Sequence, residues 1–370
     1  MFKMAIINDQ HVFSGTSTHI YKLYENVKGH AISCDLYQFI LDDRNLPKLD
    51  DVKLRYGILS KIYGDSRSYY NLKLALNFIP GVNWRVFKGI DADILLLSGP
   101  TLLPLVHHNK AKFIAIGHDL YFLHSKKESF FLRTYIKKMY RRFQNVDFII
   151  VDSNFTKKEF VENLKISEER IRVVYPSINN NVFYPAKSNI RERLGIREDE
   201  TMILNVGGDG PNKNVETILR LLARLPENFT LVRVGRNFNT IKLIKNLNLS
   251  KRVILLGNVD EVFLAELYRG SDLLIFPSLF EGFGIPLVEA MSSGLPVVTS
   301  NRGSLPEITG DAGIICDPFD INCMREAIIS LTTNKNVRNN CIRKGIERAK
   351  LFSSEEQFKS LSGVLTAFSK

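Results

Sequence analysis

The sequence predicts an α/β protein built from two parallel-sheet domains. Short apolar runs that end in turn residues alternate with helical patterns along the chain. These runs fall into two series, one before about residue 180 and one after about residue 200. Residues 175–188, YPSINNNVFYPAKS, separate the series and have the composition of a loop or hinge. Strand–helix alternation in two blocks implies two domains, expected at 1–180 and 186–350.

Each predicted strand is apolar or β-branched and is followed by a turn signal, which gives the domains a Rossmann-like character. The predicted strands are 4–9, 94–99, 113–119, 148–153 and 171–176 in the first series, and 202–208, 229–235, 252–258, 272–278, 295–300 and 312–318 in the second. The clearest helical patterns are 18–27, 130–143, 214–225, 260–271 and 285–294. A last amphipathic helix at about 352–370 is expected to pack back on the first domain.

Composition is that of a soluble globular protein: 45% of the 370 residues are hydrophobic and 24% are charged. The four cysteines are widely spread and form no CxxC pair, so we expect neither a disulfide scaffold nor a zinc site. The apolar run at the N-terminus is too short for a signal peptide, and no stretch is long enough to cross a bilayer. A cytoplasmic protein, soluble or on the inner face of the membrane, is expected.

The net charge is +11, and the first 185 residues carry 26 lysines and arginines against 18 acidic residues. A basic half indicates an anionic partner or simply a soluble surface. A nucleic-acid-binding protein is the weaker alternative, because no recognisable module is present and the basic residues are dispersed. Residues 126–143 are basic and aromatic; we favour a helix packed on the sheet over one lying on an anionic membrane.

The strongest motif is PSLFEGFGIPLVEAMSSGLPVV, residues 277–298. Glu281 follows a predicted strand and precedes the glycine loop 282–284. Pro286 suits the start of a helix, and Glu289 is expected in the first turn of that helix. Glycines allow backbone N–H groups to approach a ligand, a helix N-terminus favours phosphate, and two carboxylates can bind sugar hydroxyls.

This string resembles the E-x7-E signature of the retaining glycosyltransferase family 4, the group 1 glycosyltransferases, which have the GT-B fold. The resemblance extends over about residues 200–318 and implies two Rossmann-like domains that face a deep cleft. It implies that Glu281 contacts the transferred sugar and that Glu289 contacts the nucleotide ribose. The other donor-binding residues that it implies are Gly282, Phe283 and Gly284 at the sugar diphosphate, and Gly257, Asn258 and Val259 at the base.

The segment LNVGGDGPNKNVETIL, residues 204–219, places a glycine-rich turn between a strand and a helix. It resembles the family segment whose cations hold the donor's diphosphate, and Lys213 fills the lysine position. Gly208 and Lys213 are expected to bind the donor. Asn212 stands where arginine is frequent, and Gly208 stands where some members have another arginine. Lys213 is therefore expected to stabilise the leaving group alone, or with help from Arg302 or Arg236.

In the first half, AIGHDLYFL places His118 just after a strand, where it could donate to a sugar hydroxyl or assist proton movement. A structural histidine is the alternative. The segment resembles the family's HDL-type motif, which favours a catalytic role for His118, with Asp119 orienting the loop. Gly15 resembles the family's glycine-rich first loop, where the backbone approaches the donor or acceptor, with Ser14 in place of a second glycine. The resemblance therefore implies that Gly15 is a donor-binding residue.

The expected reaction is transfer of a hexose from a nucleoside-diphosphate sugar to a hydroxyl acceptor, such as a glycan or lipid-linked sugar. The resemblance implies retention of anomeric configuration. No acid pair with metal-ligand spacing stands near the site, so neither a metal nor a cofactor is expected. GDP-mannose and UDP-glucose stay open as donors. A GT-B-like epimerase or phosphorylase is the alternative enzyme.

Overall fold

A computed structural model of the chain describes residues 3–8, 15–30, 32–40, 52–56, 89–100, 103, 111–124, 130–235 and 240–366. The chain divides into two compact units, one of Met1–Ser177 with Gln357–Lys370 and one of Ile178–Glu356. The division falls inside the predicted loop 175–188. Among the described helices, none combines the length and apolar character needed to span a membrane.

The first unit is built on strands that alternate with helices. In chain order its described elements are β1 (Met4–Asn8), α1 (Gly15–Gly29), β2 (Cys34–Ile40), β3 (Val52–Tyr56), β4 (Ile94–Leu97), β5 (Lys112–Gly117), α2 (Tyr121–His124), α3 (Phe130–Tyr140), β6 (Phe148–Val151), α4 (Asn154–Leu164) and β7 (Ile171–Val173).

These strands form one parallel sheet in the order β3-β2-β1-β4-β5-β6-β7. Successive side chains of a strand point to opposite faces, and β1 follows this rule. Ala5 and Ile7 enter a core on one face, whereas Met4 and Ile6 enter a core on the other. Burial on both faces explains why β1, β4, β5 and β6 read as continuous apolar runs in the sequence.

Strands β2 and β3 were missed by sequence analysis. They lie at one side of the sheet, and their sequences CDLYQFI and VKLRY mix polar and charged residues with apolar ones. Of the two, only β3 is an edge strand, since β2 pairs with both β1 and β3. In both strands the polar residues interrupt the continuous apolar run that marks the central strands.

The basic helix α3 packs on the sheet, as favoured from the sequence. Ile136 and Tyr140 are buried in the same core as Phe143, and Met139 packs against that core. The intervening Lys137 and Lys138 are exposed. These apolar residues therefore serve the fold of the first unit. The side chains of Phe131 and Tyr135, which with Met139 form the helical stripe expected from the sequence, lie outside the described residues.

The second unit repeats the alternation of strands and helices. Its described elements are α5 (Ile190–Arg193), β8 (Thr201–Val206), α6 (Val215–Leu222), β9 (Phe229–Val234), α7 (Thr240–Asn246), β10 (Val253–Leu256), α8 (Glu261–Gly270), β11 (Leu273–Phe276), α9 (Ile285–Ser292), β12 (Val297–Ser300), α10 (Leu305–Thr309), β13 (Ile314–Cys316), α11 (Ile321–Thr333) and α12 (Lys335–Ala349).

Its six described strands form a parallel sheet in the order β10-β9-β8-β11-β12-β13. The predicted strands of the second series are thereby confirmed, as are the predicted helices that became α6, α8 and α9. The strand order reverses between β8 and β11. Such a switch point is where open α/β sheets bind ligands, beyond the carboxyl ends of the strands.

The last helix, α13 (Ser354–Thr366), belongs mostly to the first unit. Leu361, Val364 and Leu365 lie in one core with Met4 and Ile6 of β1. Helix α1 contributes to the same core through a stripe at helical spacing, made of Ile20, Leu23, Tyr24 and Val27.

One disulfide was not expected from the sequence. Cys316 and Cys323 form a disulfide, seven residues apart in sequence with Cα atoms 5.9 Å apart. The pair forms because β13 ends at Cys316 and α11 begins at Ile321, so the chain turns back between them. Sequence spacing alone did not reveal this turn. Cys34 and Cys341 are free thiols.

The packing of α13 makes a testable stability prediction. Leu361→Ala should lower the free energy of unfolding of the first unit by about 3 kcal/mol, because it leaves a cavity in a fully buried site. Leu351→Ala is the matched control, since Leu351 is 50% exposed and should change stability by less than about 0.5 kcal/mol. Urea unfolding monitored by circular dichroism measures both; equal losses would contradict the packing.

Candidate functional site

The candidate site lies at the carboxyl edge of the second sheet, where the loops after β8, β11 and β12 meet. Lys213 comes from the turn after β8, and Glu281 comes from the loop after β11. The Lys213 Nζ donates to Glu281 Oε1 at 2.5 Å. Both side chains are largely shielded from solvent, with 25% and 13% of their surfaces exposed. The structure thus brings together the predicted cation and the predicted sugar-binding carboxylate.

The glycine turn after β8 shapes the approach of Lys213. Gly207 has φ of +147°, a conformation that favours glycine, and a Cβ added there would lie 3.6 Å from Lys213 Cδ. The Lys213 amide donates to the Gly210 carbonyl at 2.9 Å, which closes a short 3-10 turn over Pro211–Lys213. The lysine stem therefore packs along the glycine turn and directs the ammonium to Glu281.

Asparagines on either side of Lys213 tie the two loops together. The Leu279 amide donates to the Asn212 carbonyl at 2.7 Å, and Asn212 Nδ2 donates to the Phe280 carbonyl at 3.3 Å. Asn214 precedes helix α6 and donates to the carbonyls of Pro277 at 3.2 Å and Pro318 at 2.9 Å. Asn212 and Asn214 therefore position the loops, whereas Lys213 supplies the charge.

The loop after β12 holds Glu281 from the other side. Ser304 is fully buried, and its Oγ donates to the carbonyls of Glu281 at 3.0 Å and Phe283 at 2.8 Å. Gly303 has φ of +62°, and a Cβ there would lie 2.8 Å from the Glu281 carbonyl oxygen. Sequence analysis missed both residues, although they lie within the string SNRGSLPE that resembles the family.

Glu289 lies in the second turn of α9, not in the first turn as expected, because the helix begins at Ile285 with Pro286 as its second residue. Its carboxylate is buried, and the Tyr268 hydroxyl donates a hydrogen bond to Glu289 Oε2 at 2.9 Å. Burial raises the pKa of Tyr268 well above its ordinary value, and Glu289 raises it further. The phenol therefore keeps its proton and stays a donor to Glu289.

The remaining predicted donor-site residues of this unit divide into buried and exposed groups. Gly282, Phe283 and Gly284 are buried, and Gly284 precedes α9 with φ of +103°. Gly257 and Asn258 are exposed in the turn after β10, and Val259 is half-buried there. That turn leads into α8, whose first turn is capped by an Asp260 carboxylate that accepts from the Phe263 amide at 2.7 Å.

The two arginines suggested as helpers of Lys213 make no described contact with it. Arg302 follows β12 and pairs with Asp317 at 2.8 Å, with about half of its surface exposed. Arg236 lies outside the described residues. Instead, a buried cation that sequence analysis missed, Arg233 of β9, donates to the Gly208 carbonyl at 2.7 Å. Its signal was a charged residue inside the apolar strand FTLVRV.

In the first unit, His118 follows β5 and lies between two acceptors. Its Nδ1 is 2.8 Å from Asp152 Oδ2, and its Nε2 is 3.1 Å from the Ser98 carbonyl. A carboxylate and a carbonyl can only accept hydrogen bonds. Both contacts can therefore be hydrogen bonds at the same time only if both ring nitrogens carry a hydrogen. Asp152, at the end of strand β6, is thus a partner of His118 that sequence analysis missed.

His19 of α1 completes this cluster as a neutral neighbour. Burial lowers the pKa of His19 to about 4, opposed by Asp152 at 4.0 Å and aided by His118. Its ring meets the His118 ring edge-on, with centroids 5.9 Å apart.

Two further residues of the first half have simple local roles. The Asp119 carboxylate accepts from the Tyr121 amide at 2.9 Å at the start of α2, in agreement with its expected loop-orienting role. Gly15, expected in a loop, is the first residue of helix α1. The preceding residues of that loop, including Ser14, lie outside the described residues.

Family models match both halves of the chain. Residues 186–348 match the model described as glycosyl transferases group 1, and residues 13–182 match the model described as glycosyltransferase family 4. The two matches agree with the resemblance drawn from residues 277–298.

Individual proteins match over shorter stretches. An uncharacterised glycosyltransferase of Methanocaldococcus jannaschii is 34% identical over 156 residues, covering 40% of this chain and 40% of that protein. O-antigen chain mannosyltransferase B of Escherichia coli is 33% identical over 100 residues, covering 27% of this chain and 26% of that protein. The matched part of the chain thus spans less than half the length of these curated relatives.

Among solved structures, sucrose-phosphate synthase from Thermosynechococcus elongatus has a TM-score of 0.84 with this chain. The match covers 100% of this chain and 99% of that chain, at 19% identity. At this identity the likeness shows a shared fold, two parallel-sheet α/β domains of GT-B type.

The contact of Gly303 with Glu281 makes a stability prediction. Gly303→Ala should lower the free energy of unfolding of the second unit by clearly more than Gly195→Ala. Both glycines have similar positive φ, +62° and +69°, so both substitutions carry about 1–2 kcal/mol of backbone strain. Only at Gly303 does the new Cβ meet a backbone atom, while at Gly195 no described atom lies within 4 Å. Equal losses in urea unfolding would contradict the proposed contact.

Proposed function

Because this chain belongs to the group 1 glycosyltransferases, we propose that it transfers a hexose from a nucleoside-diphosphate sugar to a hydroxyl group of an acceptor. The observation that carries the proposal is the contact of Lys213 Nζ with Glu281 Oε1 at the switch point of the second sheet. This contact joins a cation suited to a diphosphate and a carboxylate suited to sugar hydroxyls at one edge of the sheet.

Lys213 stabilises the leaving group in this proposal. As the glycosidic bond to the donor breaks, the diphosphate gains negative charge. An ammonium carries three hydrogens, so Lys213 can contact phosphate oxygens and Glu281 at the same time. Its low exposure limits competing water, which strengthens its interaction with the developing charge.

Glu281 and Glu289 bind the donor by hydrogen bonds to hydroxyl groups. We assign Glu281 to the transferred sugar, because its carboxylate stands beside the cation that binds the diphosphate. We assign Glu289 to the nucleotide ribose, in line with the family resemblance. The hydrogen bond from Tyr268 fixes the Glu289 carboxylate in the buried part of helix α9.

The transfer is proposed to retain the anomeric configuration and to need no metal. The acceptor hydroxyl then attacks the anomeric carbon from the face that the diphosphate leaves. The new glycosidic bond forms as the sugar–phosphate bond breaks, and a departing phosphate oxygen takes the hydroxyl proton. Lys213 offsets the charge on the diphosphate, which is the role that a metal ion fills in other enzymes.

The proposed donor is GDP-mannose, with UDP-glucose as the alternative, and the proposed acceptor is a glycan or lipid-linked sugar in the cytoplasm. The likeness to the mannosyltransferase of Escherichia coli matched above supports mannose as the transferred sugar. A thermal-shift screen with both nucleotide sugars identifies the one that binds, since a bound ligand stabilises the folded protein. If neither raises the melting temperature, both donor assignments are wrong.

Incubation of the bound donor with and without an acceptor mixture tests the reaction class. A transferase gives acceptor-dependent release of nucleoside diphosphate and a glycosylated product with the donor's anomeric configuration. An epimerase would consume the donor without any acceptor. An inverted product would contradict retention.

Substitutions at the ion pair test the proposed roles directly. Lys213→Met and Glu281→Gln should each lower kcat about a hundredfold, because each removes one stabilising group from the transition state. Lys251→Met is the matched control, since Lys251 is an exposed lysine of the same unit. Release of nucleoside diphosphate is the measurement, with circular dichroism to verify folding. Rates within twofold of wild type for both variants would overturn the assignment.

His118 provides a second test, in the first unit. In this proposal His118 Nε2 exchanges its contact with the Ser98 carbonyl for one with the reacting sugar. His118→Ala should then lower kcat about tenfold, the cost of about one hydrogen bond. His124→Ala is the control, because His124 is an exposed histidine six residues further along the chain. An unchanged rate for His118→Ala, with normal folding, would leave His118 as a structural residue.

A further inference from the structure

Arg233 is a fully buried cation that lies beneath the glycine turn of the candidate site. It stands near the end of strand β9 and has no exposed surface. Its Nη1 donates to Asn205 Oδ1 of β8, and its Nη2 donates to the Gly208 carbonyl at 2.7 Å. The guanidinium therefore contacts the turn that follows β8 from the sheet side.

The positive charge of Arg233 is only partly balanced. Its one ion-pair partner among the described residues is Asp209, whose Oδ1 lies 3.4 Å from Nη2. That same oxygen also accepts from Thr240 Oγ1 at 2.6 Å. Arg233 Nε has no hydrogen-bond partner in the described part of the chain. Burying an arginine costs desolvation free energy, and one long ion pair offsets this cost only in part. An apolar side chain would fill the same space without that cost, so we expect a role for the charge itself.

Position 208 of the turn has room for a side chain among the described residues. No heavy atom of the described residues lies within 4 Å of the Cβ that a side chain at Gly208 would add. The neighbouring Gly207 packs against the stem of Lys213, whose ammonium points to Glu281. An anion at this turn would thus have Lys213 beside it and Arg233 beneath it, separated from Arg233 by one peptide layer.

We propose that Arg233 is a positioning residue for the donor's diphosphate, and that it supplies positive charge through the Gly207–Asp209 turn in place of a cationic side chain at position 208. The proposal rests on the proposed function, since it concerns the same donor site. Arg233 does not touch the ligand; it acts by its electric field and by its bond to the Gly208 carbonyl.

Charge supplied in this way differs from charge on the surface. Arg233 is surrounded by protein, so added salt screens it much less than an exposed side chain. Its effect should also grow with the charge of the ligand. A purely structural role in holding the turn would instead change the binding of all ligands of the site alike.

The main experiment measures the affinity of wild type and Arg233→Met for a nucleoside, its monophosphate and its diphosphate by isothermal titration calorimetry. The base is the one selected by the thermal-shift screen. We expect nucleoside affinity within twofold of wild type, a loss of about threefold for the monophosphate, and a loss of about tenfold for the diphosphate. Equal losses for all three ligands, or no loss for the diphosphate, would overturn the proposal.

Asp209→Asn gives a test with the opposite sign, and it applies even if Arg233→Met does not fold. It removes the negative charge beside Arg233 and keeps an oxygen that can accept from Thr240. Diphosphate affinity should rise about threefold if the field of Arg233 matters. Unchanged or weaker diphosphate binding by a folded Asp209→Asn protein would contradict the proposal.

A compensating substitution completes the design. Gly208→Arg in the Arg233→Met background should restore diphosphate affinity to within about threefold of wild type, because it places a cation at the position of the turn that has room for a side chain. The restored affinity should now fall with added salt, since the new cation is exposed. Absence of rescue would indicate that Arg233 acts on the shape of the turn.

The same titrations separate this inference from the proposed function. If wild type binds no nucleoside diphosphate, the proposed function fails. If wild type binds the diphosphate and the Arg233 and Asp209 variants bind it equally well, only the role of Arg233 fails.

Discussion

The second unit depends on the parallel pairing of β8 with β11 at the point where the strand order reverses. Parallel strands present their carboxyl ends at one edge, so the turn after β8 and the loop after β11 must meet there. The ion pair of Lys213 with Glu281 forms at that meeting point. Residues 68 positions apart in sequence thereby become one site.

Hydrogen bonds from side chains to the backbone hold these loops in register. Asn212, Asn214 and Ser304 bond to carbonyl and amide groups of neighbouring loops, so they fix the path of the chain. Glycines allow the close approach that these bonds require. At Gly235, for example, a Cβ would lie 2.2 Å from the Gly207 carbonyl oxygen, so no larger residue fits without displacing the glycine turn. A well-ordered arrangement of loops leaves Lys213 and Glu281 little freedom, which favours a preorganised binding site.

Charge in this protein is used differently in the two units. In the first unit, Asp152 holds His118, while burial keeps His19 neutral beside it. In the second unit, the guanidinium of Arg233 lies fully buried beneath the glycine turn, and this burial lowers its pKa. In both places a titratable group is shielded from solvent next to a predicted functional residue, which is frequent at functional sites.

The sequence by itself determined the two-domain α/β class, the central strands and the motif residues of the second unit. It could do so because strands buried on both faces read as apolar runs, and because Glu281 and Lys213 lie in distinctive loops just after such strands. Strands β2 and β3 were not recognised, since the polar and charged residues in their sequences hide the apolar pattern.

Only the tertiary structure decided which groups are neighbours. The disulfide of Cys316 with Cys323, the bond of Tyr268 to Glu289 and the placement of Arg233 under Gly208 all depend on how separate elements pack. Local sequence carries the preference of a segment for helix, strand or turn, but it carries no distance between segments. Those distances are set by the order of strands in the sheet and by the packing of loops at its edge. For this reason only the folded structure shows which residues contact the predicted site residues.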